Sequence, residues 1–246
     1  MEGKKYWITV LLTFFCFVAV SQEPTTKKIY NAFISGNMHN WASVLNKMEN
    51  QQEEKLGYLL RLINYQYGYT GWCLGNDEKS EAKKNLSKLE KNLEKLRDKA
   101  GQTVNYHAYS AAAYGFNIGL KNWKAPFFGP KSMDHGKKAL EMDSLSFQAN
   151  VEMGNIWNHM PELFGGSVEK ALKYYEKALE IYENREEQLA EKKWLYLNVI
   201  AISGQLEFEE GNYEKALQFY EKALNIEPKF TWLEKELLPQ LKSKLN

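Results

Sequence analysis

Four histidines and two cysteines are the side chains in this sequence whose chemistry best suits metal ligation or nucleophilic attack. No two of the histidines have the one-turn helical spacing that metal ligation favours; they are His39, His107, His135 and His159. Cys16 falls in an apolar N-terminal run, so Cys73 has no second cysteine with which to form a ligand cluster. The pattern predicts neither a metal site nor a bound cofactor.

Motifs for phosphate binding and acyl transfer are also missing from the sequence. The Gly-Gly-Ser at residues 165–167 lacks both the lysine and the preceding strand of a phosphate-binding loop. We interpret Ser167 as a helix cap, with Glu169 favourable near the helix start. The many carboxylates lie at the spacing of solvated helix faces, in runs such as EKNLEKLRDK and ENREEQLAEKK. The sequence therefore predicts a protein without enzymatic activity.

The charge balance argues against nucleic acid as a partner. The 246 residues include 32 basic and 31 acidic side chains, which leaves a formal net charge of +1. A protein that binds a phosphate backbone needs a basic excess on one face, and this composition does not supply one.

The N-terminus has the layout of a secretory signal peptide. Lys4 and Lys5 precede a run of apolar residues over 8–20, and small residues then alternate up to Ser21. The apolar run is shorter than the roughly 20 residues that span a bilayer. We predict a signal peptide over residues 1–21 with cleavage after Ser21; an uncleaved membrane anchor is the alternative.

The cysteines and the remaining hydropathy agree with export. A lipoprotein cysteine follows a small residue, whereas Phe14 and Phe15 precede Cys16. Cleavage leaves Cys73 alone, so no intrachain disulfide forms even in an oxidising compartment, and we interpret Cys73 as a small buried side chain. Past residue 22 no apolar run approaches membrane length. The sequence predicts an exported protein, periplasmic or on the cell surface, with no membrane span in the mature chain.

The clearest internal repeat is the segment SGQLEFEEGNYEKALQFYEKALNIEP at residues 203–228. Its spacing has a physical reading: Gly204 and Ala223 are small where two antiparallel helices approach closely, and Tyr220 fills the gap between them. Gly211 makes the turn, and Pro228 ends the unit. The segment resembles a tetratricopeptide repeat.

A second copy, GNIWNHMPELFGGSVEKALKYYEKALEIYE, occupies residues 154–183, and weaker copies lie upstream. The resemblance implies an all-α fold, a right-handed solenoid of antiparallel helix pairs with a C-terminal capping helix. We predict one solenoid over residues 22–246, with repeats at 27–50, 53–97, 103–146, 147–184 and 191–229 and the cap at 230–245. Pro161, Gly165 and Gly166 also loosely resemble a loop of the tetratricopeptide proteins associated with TRAP transporters.

Three consecutive repeats are longer than the last one. In each repeat we compare the number of residues from the small residue of the first helix to the small residue of the second. This separation is 12 residues between Gly204 and Ala216 in the last repeat, but 17, 19 and 18 residues in the three upstream repeats. The extra residues combine aromatic rings with glycines and predict loops along one edge of the stack. Their rings include Trp72, Trp123, Phe127, Phe128 and Phe164. One interpretation is that the rings shield helix ends; the other is that they line a recognition site.

The inner face of the first helices is the second candidate surface. Register with Gly154 and Gly204 predicts that amides and rings point inward, at His107, Tyr114, Asn117, Asn155 and Asn158. Such groups suit hydrogen bonds to a peptide backbone or a sugar hydroxyl. We therefore predict a binding scaffold that recognises a protein segment through its groove. The alternative is a receptor for a glycan or small ligand, or a transporter accessory, that uses the aromatic loops.

Overall fold

The computed structural model describes residues 24–51 and 53–245, so the predicted signal peptide lies outside the described residues. Within them the fold is helical and no strand forms. No helix in this part of the chain is both long and apolar enough to cross a bilayer. The helices are α1 (Thr25–Ser35), α2 (Met38–Asn50), α3 (Leu56–Gly75), α4 (Lys79–Ala100), α5 (Val104–Leu120), α6 (Ala125–Met142), α7 (Phe147–His159), α8 (Val168–Glu183), α9 (Lys193–Glu209), α10 (Tyr213–Ile226) and α11 (Leu238–Leu245).

Consecutive helices pack as antiparallel pairs, α1 with α2 through to α9 with α10, and each pair stacks on the next. After α10 a π-helical turn at Leu233–Leu237 leads into α11. Leu233, Leu237 and Leu241 are buried there, so this segment covers the apolar face that the last pair leaves open. The prediction of an all-α solenoid with a terminal capping helix is confirmed.

A glycine and a tyrosine interlock in the same way in two of the pairs. A Cβ on Gly154 would overlap the ring of Tyr175, and a Cβ on Gly204 would overlap the ring of Tyr220. Both rings are buried, with at most 1% of their surface exposed. The small residues therefore set how closely the two helices of each pair approach, as the repeat spacing predicts.

The Gly204→Ala variant is expected to lose about 1–3 kcal/mol of unfolding free energy, because its Cβ would stand only 2.7 Å from Tyr220 Cδ1. The matched control is Gly115→Ala in α5, where a Cβ meets no atom within 4 Å. There the better helix propensity of alanine should stabilise the protein by roughly 0.5–1 kcal/mol. Urea unfolding followed by circular dichroism measures both, and the same sign for the two variants would contradict the interlock.

The first helix pair also contacts the last repeat, which closes the array. The Tyr30 hydroxyl donates to Glu227 Oε2 at 2.8 Å, although 197 residues separate the two. Phe33 and Trp41 hold Trp194 of α9 at centroid distances of 5.9 and 5.0 Å. A Cβ on Gly68 would come within 2.8 Å of the Trp41 ring and also meet Trp194, so a glycine is needed there. The repeat pattern of the sequence does not predict this closure.

The prediction of three lengthened aromatic loops is wrong in two cases. The first group of extra residues continues α3 to Gly75, and Cys73 within it is fully buried. In the second group, α6 starts at Ala125, with a proline suitably placed in its first turn, and takes in Phe127 and Phe128. The extension of α3 packs on α5, where Leu74 lies beside Gly119, whereas Phe127 on the first turns of α6 stays exposed. The third group, at 160–167, remains a turn between helices.

Candidate functional site

The first helices of the pairs, α3, α5, α7 and α9, run parallel, so their C-terminal ends meet at one end of the solenoid. At their N-terminal halves the inner face is closed: His107, Gln148 and Val151 are buried. At their C-terminal halves the inner face is partly open, because Tyr114, Asn117, Asn155 and Asn158 are half-buried. We call this part of the inner face, defined by those four residues, the open groove.

Exposed apolar side chains lie beside the open groove, in the segments that follow α5 and α7. We define the aromatic edge as Trp123, Phe127, Phe128, Leu163 and Phe164. Trp123 is 67% exposed, Phe127 65%, Leu163 90% and Phe164 71%, whereas Phe128 is half-buried. The sequence pattern predicts the four rings but not Leu163, whose place beside Phe164 in a turn was the available signal. Several large apolar side chains exposed on neighbouring repeats are typical of an interaction site.

The turn that carries Leu163 and Phe164 is built on two glycines. Gly165 has a φ of +94°, in the region that favours glycine. A Cβ on Gly166 would overlap the Met160 carbonyl, since the turn brings Gly166 N to Pro161 O at 3.1 Å. Ser167 then caps α8 by accepting from Lys170 N at 3.2 Å, which confirms its interpretation as a cap. The two glycines and the helix cap thus fix the conformation of the turn, and the side chains of Leu163 and Phe164 stay exposed to solvent.

Lysines accompany the rings of the aromatic edge. The Lys124 ammonium lies 5.1 Å from the centroid of the Phe128 ring, and the Lys131 ammonium lies 5.6 Å from the same centroid. Phe128 also packs edge-on against Tyr114, with centroids 5.3 Å apart. No acidic residue occurs between residues 101 and 133. This part of the edge therefore combines apolar surface with positive charge.

Two amide groups of the open groove, those of Asn117 and Asn155, are already engaged within the chain. Asn117 donates to Glu90 Oε1 at 2.8 Å and accepts from Lys124 Nζ at 2.7 Å. Asn155 donates to the Tyr67 hydroxyl at 3.1 Å and accepts from the Tyr175 hydroxyl at 2.7 Å. These amides hold the scaffold together, and a partner that uses them has to share or displace these bonds.

His107 does not line the open groove, because it is buried against α6. Its Nδ1 lies 3.0 Å from Nδ1 of His135, so one ring donates while the other accepts. Burial is the main cause that lowers the pKa of both imidazoles. The described residues contain no cluster of three or more histidine, cysteine or acidic side chains that would hold a metal ion. The linear sequence hides this pair because its members lie on different helices.

A buried polar network occupies the closed part of the interior. Gln148 joins two charged groups there: it donates to Glu152 Oε1 at 2.7 Å and accepts from Lys192 Nζ at 3.0 Å. Burial raises the pKa of Glu152 to about 7 and lowers the pKa of Lys192 to about 8. Asn155 continues the network by donating to Glu152 Oε2 at 3.2 Å. Side chains of the chain itself therefore join the helices across this part of the interior.

Stacked helix pairs with a repeated glycine–tyrosine interlock define a helical-repeat protein. Models of the tetratricopeptide repeat family match residues 164–185 and 203–230. These two segments are tetratricopeptide repeats, as the sequence predicts, and such repeats indicate a role in protein–protein interaction or scaffolding.

Comparison with known proteins adds support for the fold. The crystal structure of a thermophilic TPR protein from Thermus thermophilus is similar, with a TM-score of 0.52 and 15% sequence identity. The match covers 90% of this chain and 99% of that one, and at this identity it shows the fold alone. No curated protein matches the sequence. The loose likeness to TRAP-transporter-associated proteins stays a prediction.

Proposed function

We propose that this protein is a non-catalytic scaffold of the cell envelope that binds a protein segment at the aromatic edge and the adjoining open groove. The observation that carries the proposal is the exposure of Trp123, Phe127, Leu163 and Phe164 on two neighbouring repeats. Exposed rings held on a rigid scaffold are the groups that most often dominate binding energy at protein interfaces. The location in the envelope rests on the signal-peptide pattern of residues 1–21.

The closed interior favours a partner that binds at the aromatic edge over a partner segment that passes through the inside of the solenoid. Contacts of Trp194 with Phe33 and Trp41 join the first pair to the last repeat, and the Glu152 network fills the space behind them. A segment bound there would have to break several buried hydrogen bonds. The edge requires no such rearrangement, because its side chains are already in solvent.

Site-specific crosslinking tests the proposed surface. A photo-crosslinking phenylalanine analogue placed at Phe127 in cells is expected to trap a discrete protein, because the ring stands 65% exposed beside the open groove. The same analogue at Met142, which is 54% exposed at the other end of α6, serves as the control. Equal yields from both positions, or none from Phe127, would contradict the proposal.

Removing two of the rings should weaken binding of the trapped protein. The variant Trp123→Ser with Phe164→Ser is expected to weaken its binding by at least about tenfold, because loss of a hot-spot ring costs roughly 2 kcal/mol or more. Biolayer interferometry with the purified partner measures the change. The matched control replaces the exposed Leu56 and Leu245, which lie away from the edge, by serine. The edge assignment fails if the control weakens binding as much.

A glycan or small-ligand receptor remains the alternative use of the same rings. Stacking on a sugar requires open ring faces together with free hydrogen-bonding groups. Trp123 and Phe164 offer the faces, but Phe128 is flanked by two lysines and the neighbouring Asn117 is fully engaged. If crosslinking traps no protein, while oligosaccharides shift the tryptophan fluorescence of the wild type but not of Trp123→Phe, the alternative replaces the proposal.

A further inference from the structure

A cavity of about 240 Å³ opens at the end of the solenoid opposite the aromatic edge. It is bounded by the N-terminal parts of α5 and α7, the C-terminal part of α8 and the segment that leads into α9. The 17 residues of α5 span about 25 Å at the helical rise, which separates the cavity from the rings at the other end. The cavity and the aromatic edge are therefore independent sites.

Lys192 is the unusual side chain of this cavity. It is only 9% exposed, and its ammonium lies 5.4 Å from the Tyr109 ring centroid and 6.0 Å from that of Phe147, both of which line the cavity. Gln148 Oε1 is its hydrogen-bond acceptor within the described residues, whereas an ammonium has three N–H groups. Glu191 and Glu152 are near enough to favour its charged form, but in the described part of the chain neither accepts one of its N–H groups, and a bound anion would satisfy those donors.

The other polar groups of the lining narrow the choice of ligand. Arg185 stands exposed at the rim, and the N-cap Ser146 of α7 belongs to the lining, so a helix N-terminus also favours an anion there. Asp143 and Glu191 line the cavity as well and disfavour a second negative charge. Apolar walls are supplied by Leu60, Leu145, Phe147, Ile181 and Leu189.

We propose that this cavity binds a small monocarboxylate with an apolar body, whose carboxylate accepts hydrogen bonds from Lys192 and Arg185. The ligand is small because the cavity falls below the roughly 300–1,000 Å³ of ordinary ligand sites. The buried ammonium supplies recognition of the carboxylate, and Phe147 with the leucines encloses the apolar body. The proposal does not depend on the partner of the aromatic edge.

Benzoate is the probe for this site, and benzamide, which has the same shape without the charge, is its control. Titration into the ¹⁵N-labelled full chain, followed by two-dimensional NMR, is expected to shift the amides around residues 146–148 and 189–192. The expected dissociation constant is about 1 mM or tighter for so small a ligand. Equal shifts with benzamide, or no saturable shift with benzoate, would overturn the proposal.

Three variants locate the charge. Lys192→Met keeps the apolar stem and is expected to weaken benzoate binding by at least about tenfold, while Arg185→Gln weakens it less. Lys173→Met, on the exposed face of α8, is expected to leave binding unchanged. Arg185 is exposed, so its variant keeps the test decisive if Lys192→Met does not fold. Unchanged binding in Arg185→Gln, or an equal loss in Lys173→Met, would refute the assignment.

Discussion

Replacing Trp194 by alanine is expected to lower the free energy of unfolding by about 3–5 kcal/mol. The indole is 4% exposed and packs against Trp41, Phe33 and Tyr67 at centroid distances of 5.0, 5.9 and 6.2 Å. These rings belong to three different helices, and they join the first helix pair to the last repeat. The substitution leaves a large cavity at that junction, because ring neighbours cannot collapse to fill it.

Chemical unfolding monitored by circular dichroism measures this loss. Trp123→Ala is the matched control, because the same residue type there is 67% exposed and its removal should change stability by no more than about 0.5 kcal/mol. Hydrogen exchange in Trp194→Ala should increase first in α1 and α2. Equal losses in the two variants, or unchanged exchange in α1, would show that the closure adds nothing to stability.

The second large effect concerns the buried carboxylate of Glu152. Burial raises its pKa from 4.5 to about 7. A carboxyl group whose folded-state pKa is raised contributes stability below its unfolded pKa and loses it as pH rises through the folded value. The wild-type protein should therefore lose stability relative to Glu152→Gln between about pH 4.5 and pH 7, by up to roughly 3 kcal/mol.

Urea unfolding of both proteins at several pH values tests this dependence. His107 and His135 also change the free energy of unfolding with pH, and because their pKa values are lowered, their effect has the opposite sign in an overlapping pH range. Both proteins contain these histidines, so the difference between wild type and variant at each pH removes their contribution. Lys192 titrates at higher pH, since burial lowers its pKa to about 8. Glu176→Gln, on the exposed face of α8, should follow the wild-type curve. A constant difference between wild type and Glu152→Gln would contradict the buried, perturbed carboxyl.

The buried network and the cavity share Lys192 and Gln148, which links the second experiment to the proposed ligand site. A carboxylate that meets the Lys192 ammonium supplies the negative charge that Glu152 otherwise provides through Gln148. Benzoate should therefore stabilise the protein more strongly when Glu152 is replaced by glutamine. This comparison adds a readout that does not involve the aromatic edge.

Several features of this protein were readable from the sequence because they are local. The pairs Gly154 with Tyr175 and Gly204 with Tyr220 repeat within one helical hairpin, so residue size and spacing predicted the helix pairs directly. The helix cap at Ser167 depends only on its own turn. The exposure of the rings followed less directly, since the sequence placed them at one edge without deciding whether they were covered.

Other features depended on residues far apart in the chain. Whether the residues before Gly75 form a loop or extend α3 is decided by neighbours on another helix, since Leu74 lies beside Gly119 of α5. The His107–His135 pair, the bond between Lys192 and Gln148, and the contact of Tyr30 with Glu227 join helices that no local pattern connects.

The sequence by itself determined the repeat class, the close helix approach at the glycines and the position of the aromatic residues after the first helices. Only the tertiary structure decided that the array closes on itself, that its interior holds a buried charged network, and that one end carries a small cavity. The physical reason is that steric contacts between residues close in the chain determine each repeat. The curvature of the stack, in contrast, results from small rotations added up over five helix pairs, and it decides which distant side chains meet.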